Sequence, residues 1–512
     1  MKKNHTGKND LPISNEEIQR QIDLILKGNI PAKIIKPAII GNGITRLTQE
    51  DLTKYLDLFN KEKNNYTLLK FVPASGAATR MFKEWTFFHR NFQTGKDFYK
   101  RFIKKNKLQT FEEDAEEFLD NLPAYAFYED LMKIILRNNP GFHQLNEDEQ
   151  VWQALHYILS DEGLGYQNMP KGLILFHRYS RDDKKTAMEE HLIEAEDYAK
   201  GQNEIAELHF SISPQYHNKF KETQKRLQEN YQVNIQFSYQ KPSTDTIMLD
   251  ENSLPLKDEM GNYIFRPGGH GSLIENIQDL DADIIFIKNI DNVQKGEKKL
   301  DTLKYKKILG GILIEKLQKI KKYLFQLKNQ KPIGDELKEI ENFAKDALHI
   351  QMIDGFEQLD NSGKRKYLYY KLNRPIRIAG VVKNTGEPGG GPFWALDKNG
   401  MESLQIIEKA QIDFSDQNQK QIFENSTHFN PVDLAISIKD FEGNKFNLSE
   451  FVNENAGFIT EKSYKGSPVK VYERPGLWNG AMDAWNTVFV EVPLSTFSPV
   501  KIVNDLLKPA HQ

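Results

Sequence analysis

Apolar and polar positions along this chain follow two periods, and the switches between them mark out its elements. Ser14 and Glu17 stand as a capping pair ahead of Ile18, Ile22 and Ile25, with Gly28 placed to stop the helix. Thr48 and Asp51 repeat the device before Leu52, Tyr55, Leu56 and Phe59. Residues 1–65 therefore read as a helical N-terminal segment with a loose polar start. The run Leu68-Leu69-Lys70-Phe71-Val72 predicts a strand, and Met81, Trp85 and Phe88 follow at helical spacing. Residues 93–165 are mostly helical in pattern, with Glu112, Glu113, Asp114, Glu116 and Glu117 on a solvated face and Phe111, Phe118 and Leu119 in the core. Strands are predicted again at 172–176, 208–213, 233–238 and 284–287, with helical stretches at 186–200 and 219–229. Strands alternating with helices imply βαβ units and a mainly parallel sheet, so the fold class is α/β.

The alternation stops over residues 294–373. There Leu313, Leu317, Ile320, Leu324 and Leu327 stripe one face of a helix that carries Lys316, Lys319, Lys321 and Lys322. A single apolar stripe with a solvated basic face is what a covering helix requires. Strand character returns at 376–382 and 404–408, and the tail after Asp433 is β-rich, with runs at 469–472 and 487–492.

Composition narrows the reading. At 512 residues, 39% hydrophobic and 28% charged, the chain can bury a sizeable core and is too apolar for wholesale disorder. A net charge of -3 gives no global bias towards nucleic acid or membrane. There is no cysteine, which excludes disulfides and thiolate chemistry. No apolar run approaches membrane-spanning length and the first residues hold no signal-like segment, so a cytoplasmic location is expected.

The densest candidate chemistry lies between Phe265 and Val293. The turn Pro267-Gly268-Gly269-His270-Gly271 opens a short helical pattern, a setting where backbone amides receive anions and polar ligand edges. The buried-strand run Ile284-Ile285-Phe286-Ile287 then leads to Asp291-Asn292. A carboxylate at the C-terminal end of such a strand stands where open α/β sheets bind ligands and can hold Mg²⁺ beside phosphates. Asp-Asn after a strand is equally ordinary turn chemistry. A second small-residue loop, Pro73 to Arg80, joins a strand to a helix and puts Arg80 and Lys83 within reach of phosphates. Glu190, His191 and Glu194 cluster on one predicted helix, but no HExxH or similar ligand set accompanies them, and they read as an acidic helix start.

Taken in order, six stretches resemble the sugar-1-phosphate nucleotidylyltransferases of the UDP-sugar pyrophosphorylase type. ASGAATRM from Ala74 is similar to that family's AGGxGTRL loop, and PGGHGSL with IFIKNIDNV to its Gly-Gly-(Asn or His)-Gly turn and its strand ending in Asp-Asn. VVKNTGEPGGG resembles VVEKTxPxEPVG, LQIIEKAQID resembles LLEIAQVP, Phe429-Asn430 falls at FNTNNLW, and STFSPVKIVNDLL resembles RFLPVKTxSDLL. The chain also resembles bacterial proteins grouped as a domain of unknown function within the same nucleotidyltransferase clan. The resemblance implies a Rossmann-like mixed, mainly parallel sheet over 66–432, with 294–373 as a helical insertion, 1–65 as a helical cover and 433–512 as a smaller β-rich C-terminal lobe.

Position by position, the resemblance implies Gly76, Thr79, Gly269 and His270 at the nucleotide, Gly390, Glu408 and Asn430 at the sugar, and Asp291 on Mg²⁺. Arg80 and Lys501 would face the phosphates. Lys83 is a further candidate, although it arrives early for the family's proline-lysine pair. Ser75 and Ala78 stand where the family has glycine, and Pro431, Val432 and Asp433 replace asparagines. The implied reaction joins a nucleoside triphosphate, UTP by resemblance, to a sugar-1-phosphate and releases pyrophosphate. The alternative is a catalytically weak nucleotide-sugar binding or regulatory protein. Neither nucleic acid nor membrane is an expected partner.

Overall fold

The computed structural model of the protein describes residues 13–76, 78–92, 99–105, 109–386 and 389–512. The expected loose start, and the side chains of Arg80, Phe111 and Glu112, lie outside the described residues. The fold is a mixed α/β one, and the chain divides into two compact units, each assembled from three segments.

The first unit comprises residues 1–62, 238–285 and 308–492. Its helix Asn15–Lys27 starts where the capping pattern places it, with Ser14 Oγ accepting from Glu17 N at 3.2 Å, and ends at Gly28 with φ of 82°. The helix Gln49–Glu62 begins on a reciprocal cap: Thr48 Oγ1 accepts from Asp51 N and Asp51 Oδ2 accepts from Thr48 N. Ile18 and Ile25 of the first helix pack with Ile247, Leu249 and Tyr472. This covers a four-stranded sheet in the order Phe265–Arg266, Thr246–Leu249, Ser467–Glu473 and Phe458–Tyr464. A run of the large sheet follows the order Ile39–Ile40, Gly43–Thr45, Asn486–Glu491, Ile376–Lys383 and His428–Ser437. Asn486–Glu491 lies parallel to both its neighbours, whereas His428–Ser437 runs antiparallel to Ile376–Lys383. The strands after Asp433 therefore divide between these two sheets.

The insertion is helical, with Leu300–Asn329 as its longest element. From Ile308 on, the predicted stripe points inward: Leu313 and Leu324 are wholly buried, Ile320 and Leu327 nearly so, and Leu317 half-buried. Lys319, Lys321 and Lys322 are exposed, as expected of the basic face. Lys316 departs from the expected basic face, since it is half-buried and stands 3.3 Å from Glu315.

The second unit comprises residues 63–237, 286–307 and 493–512. Its strands follow the order Leu68–Pro73, Ala206–Ser211 and Val233–Ser238, and it takes in Phe286 and Ile287 of the strand Ile284–Ile287, which is hydrogen-bonded to Leu68–Pro73. Leu68–Pro73 and Ala206–Ser211 are parallel. The helices between 78 and 165 pack through rings, with Trp85 on Phe118 at 4.5 Å, Phe118 on Tyr125 at 5.0 Å and Tyr125 on Phe127 at 5.1 Å. The strand expected at 172–176 requires correction. Lys171–Leu173 is a 3₁₀ turn, and Leu175–Arg178 pairs antiparallel with Lys184–Thr186 in a hairpin outside the large sheet. A short apolar run predicts a strand but not its partner. Here the deciding residue is the wholly buried His177, whose Nδ1 lies 2.8 Å from Glu190 Oε1 and ties the hairpin to the helix Ala187–Tyr198.

Candidate functional site

In the second unit, the apolar strand Ile284–Ile287 delivers Asp291 to its C-terminal end, as expected, and two lysines converge there. Lys171 Nζ is 2.9 Å from Asp291 Oδ2, and Lys501 Nζ is 3.4 Å from the same oxygen. Lys171 also donates to the Val500 carbonyl at 2.7 Å. Asp291 is 7% exposed. Burial alone would raise its pKa, but the charges of Lys171 and Lys501 outweigh that and hold the carboxyl below its ordinary range, so it stays ionised. Asn292 is 1% exposed and fastens the segment that carries Lys501: its Oδ1 accepts from Ser498 N at 2.9 Å, and its Nδ2 donates to Thr496 O. Val500 N donates to Asp291 O at 3.0 Å.

Lys171 is absent from the residues proposed on sequence. The available signal was the dipeptide Pro170-Lys171, a proline-lysine pair of the kind the resemblance asks for. Lys83 is held elsewhere, its side chain 79% exposed and its ammonium 3.9 Å from Glu84.

The loop after Leu68–Pro73 is tied down through its backbone. Ala74 N donates to Ser211 O, Ser213 Oγ donates to Ser75 O, and Ala78 N donates to Met169 O, each at 2.9 Å. Gly76 and Thr79 are exposed at its tip. Arg80 closes the 3₁₀ turn Ala78–Arg80, and the expectation for its guanidinium lies outside the described residues.

The first unit holds the glycine turn. Gly269 has φ of 81°, a conformation that L side chains rarely adopt, and a Cβ on Gly271 would stand 2.1 Å from the Pro475 carbonyl. His270 stacks on Trp478 with ring centroids 4.3 Å apart. Leu477 N donates to its Nδ1 at 3.1 Å, so the neutral ring carries its proton on Nε2. Burial pushes the His270 pKa down, and the nearby Glu408 and Glu473 carboxylates only partly oppose this.

Gly390 and Asn430 meet in a β-bridge, with Asn430 N donating to Gly390 O at 2.8 Å. Both ends of the Asn430 side chain are engaged within the chain, Nδ2 with Gly380 O at 2.7 Å and Oδ1 with Val432 N at 3.1 Å. Glu408 lines a cavity of about 490 Å³ together with Gly389, Gly391, Phe393, Phe423 and His428. That volume falls within the range of small-molecule sites.

Glu190 lies in the first turn of the helix Ala187–Tyr198, as expected of an acidic helix start, with His191 and Glu194 further along it. All three are wholly buried and are matched with cations or carbonyls. Among the described residues no group of three or more His, Cys, Asp or Glu side chains could hold a metal ion by itself. Mg²⁺ is commonly bound by one or two carboxylates with phosphates and water completing the shell. One ionised, buried carboxylate at a strand end fits that donor requirement.

Fold and site define an α/β protein with a pair of ammonium groups gathered on a strand-end carboxylate. The chain belongs to the DUF4301 family, a domain of unknown function whose model matches residues 3–512. A comparison with curated proteins finds no match. Among solved structures, the chain is similar to UDP-glucose phosphorylase from Trypanosoma brucei, at 16% identity and a TM-score of 0.37, covering 66% of this chain and 60% of that one. It is similar to a point mutant of the UDP-glucose pyrophosphorylase from Leishmania major in complex with UDP-glucose, at 16% identity and a TM-score of 0.35, covering 66% and 61%. It is also similar to the uridine diphosphate N-acetylglucosamine pyrophosphorylase from Trypanosoma brucei, at 11% identity and a TM-score of 0.42, covering 96% and 73%. No helix among the described residues is long and apolar enough to cross a membrane.

Proposed function

We propose that this protein is a nucleotidyltransferase that joins a nucleoside triphosphate, UTP in the first instance, to a sugar-1-phosphate. The observation that carries the reading is the convergence of Lys171 and Lys501 on the buried Asp291 carboxylate. An oxygen of the sugar phosphate attacks the α-phosphorus in line, a new P–O bond forms, the α–β bridging bond breaks, and pyrophosphate leaves with the electron pair. No covalent intermediate on the protein is needed. The chain's task is to bring two anions together and neutralise them. Lys171 and Lys501 turn from Asp291 to phosphate oxygens, and Arg80 supplies a further cation from the loop. Asp291 would hold Mg²⁺, which when bound lends additional positive charge to the phosphates. Gly76 and Thr79, on the loop of the same unit, are assigned to the nucleotide. A triphosphate substrate accords with a cytoplasmic setting.

The second reading, a nucleotide-sugar binding protein of weak activity, is favoured by one observation. Ala78 N is already engaged by the Met169 carbonyl and so is not offered to a phosphate. Pyrophosphate release separates the two readings, measured with Mg²⁺ for each ribonucleoside triphosphate against a panel of sugar-1-phosphates. Release that depends on one pair of substrates, and that is lost in Asp291→Ala, is the expected result. Nucleotide binding without release across the panel would establish the second reading.

A further inference from the structure

Beneath the turn that carries Asp291 lies a group of buried charges that the reaction does not use. Lys70, on the strand Leu68–Pro73, and Lys288, just after the strand Ile284–Ile287, are both wholly buried. Glu194, on the helix Ala187–Tyr198, joins them: its Oε2 accepts from Lys70 Nζ and its Oε1 from Lys288 Nζ, each at 2.8 Å. The same helix makes two further bonds. The His191 carbonyl accepts from Lys70 Nζ at 2.9 Å, and His191 Nε2 stands 3.2 Å from the carbonyl of Ile290, the residue before Asp291. Lys306 Nζ adds a bond to Ile287 O at 3.0 Å.

A buried ion group of this kind is a poor device for stability. The cost of taking its charges out of water is often only just matched by their attraction, and apolar replacements are frequently as stable. What it does provide is direction. One carboxylate with two hydrogen-bonded lysines fixes the middle of one strand and the end of another against one helix. Those two strands lead into the loop beginning at Ala74 and the turn bearing Asp291. We infer that Glu194 is a positioning residue, which through Lys70 and Lys288 sets the Asp291 turn and the loop after Pro73 in register with each other. The positional part rests on this geometry alone, and its consequence for turnover rests on the nucleotidyl-transfer reading.

The test compares the full-length wild type with two variants by peptide-resolved amide hydrogen exchange, thermal unfolding and pyrophosphate release. Glu194→Gln keeps the shape and removes the charge. The triple variant Lys70→Met, Glu194→Leu, Lys288→Met removes all three charges and serves if the first variant folds poorly. Expected for both is exchange faster by about tenfold or more in peptides covering 69–80 and 286–293, with the strand Ile376–Lys383 unchanged. The triple variant should unfold at a temperature close to that of the wild type while pyrophosphate release still falls. Protection retained at both segments in the triple variant would overturn the inference. So would a loss spread evenly over the chain in step with a lower unfolding temperature. A wild type that releases no pyrophosphate would count against the nucleotidyl-transfer reading, and the exchange measurement would still decide the role of Glu194.

Discussion

At the scale of single residues, the two candidate lysines make opposite predictions. Lys171 is bonded to Asp291 and Lys83 is bound up with Glu84 in solvent, so Lys171→Met should lower the rate of pyrophosphate release by about a hundredfold while Lys83→Met leaves it unchanged. Steady-state kinetics of the two variants check this. Asp291 also sets a pH dependence. Its folded pKa lies below the ordinary carboxylate value, so the unfolded chain takes up the proton first as pH falls. Its contribution is therefore complete above about pH 4 and is lost as pH drops through the folded value. Denaturant unfolding of wild type and Asp291→Asn should show a gap at neutral pH that closes in acid. Asp291 and Lys501 were legible because each sits in a motif of several residues. Lys171 was not, because its signal is a dipeptide that the folded chain alone brings within 2.9 Å of Asp291, 120 residues further on.

At the scale of elements, Asn292 connects a strand end to a distant segment. Removing its amide in Asn292→Ala leaves Ser498 N and Thr496 O without their partner, which should cost about 1–3 kcal/mol of stability. It should also weaken triphosphate binding, since Lys501 lies just beyond Ser498 in the chain; calorimetric titration with a non-hydrolysable triphosphate reads the second effect. The helices with capping patterns were legible because a cap is local, its donor and acceptor three residues apart. The hairpin Leu175–Arg178 was not, and the helix expected at 186–200 was legible as a helix but not as a buried one. Polar residues such as His177, Glu190 and Glu194 signal solvent in sequence, and the lysines that let the two glutamates be buried stand between 94 and 124 residues away.

At the scale of the whole molecule, the two units are interleaved along the chain, which crosses from one to the other at 62, 237, 285, 307 and 492. The first unit's sheet places Asn486–Glu491 between Gly43–Thr45 and Ile376–Lys383, so a chain ending at residue 432 lacks an inner strand. Such a truncation should lose the cooperative thermal transition of the full chain, checked by circular dichroism. The alternation of periods revealed the α/β class, because burial leaves its mark on every element. It did not reveal the interleaving, because strand order is settled by pairing between segments hundreds of residues apart.

The stack of His270 on Trp478 makes the glycine turn its own reporter. An imidazole against an indole alters the emission of that ring, more strongly when it is protonated than when it is neutral. Of the chain's five tryptophans, Trp478 alone is in ring contact with this histidine among the described residues. With Trp85, Trp152, Trp394 and Trp485 replaced by phenylalanine, the remaining fluorescence becomes a direct optical record of whatever enters or leaves the turn.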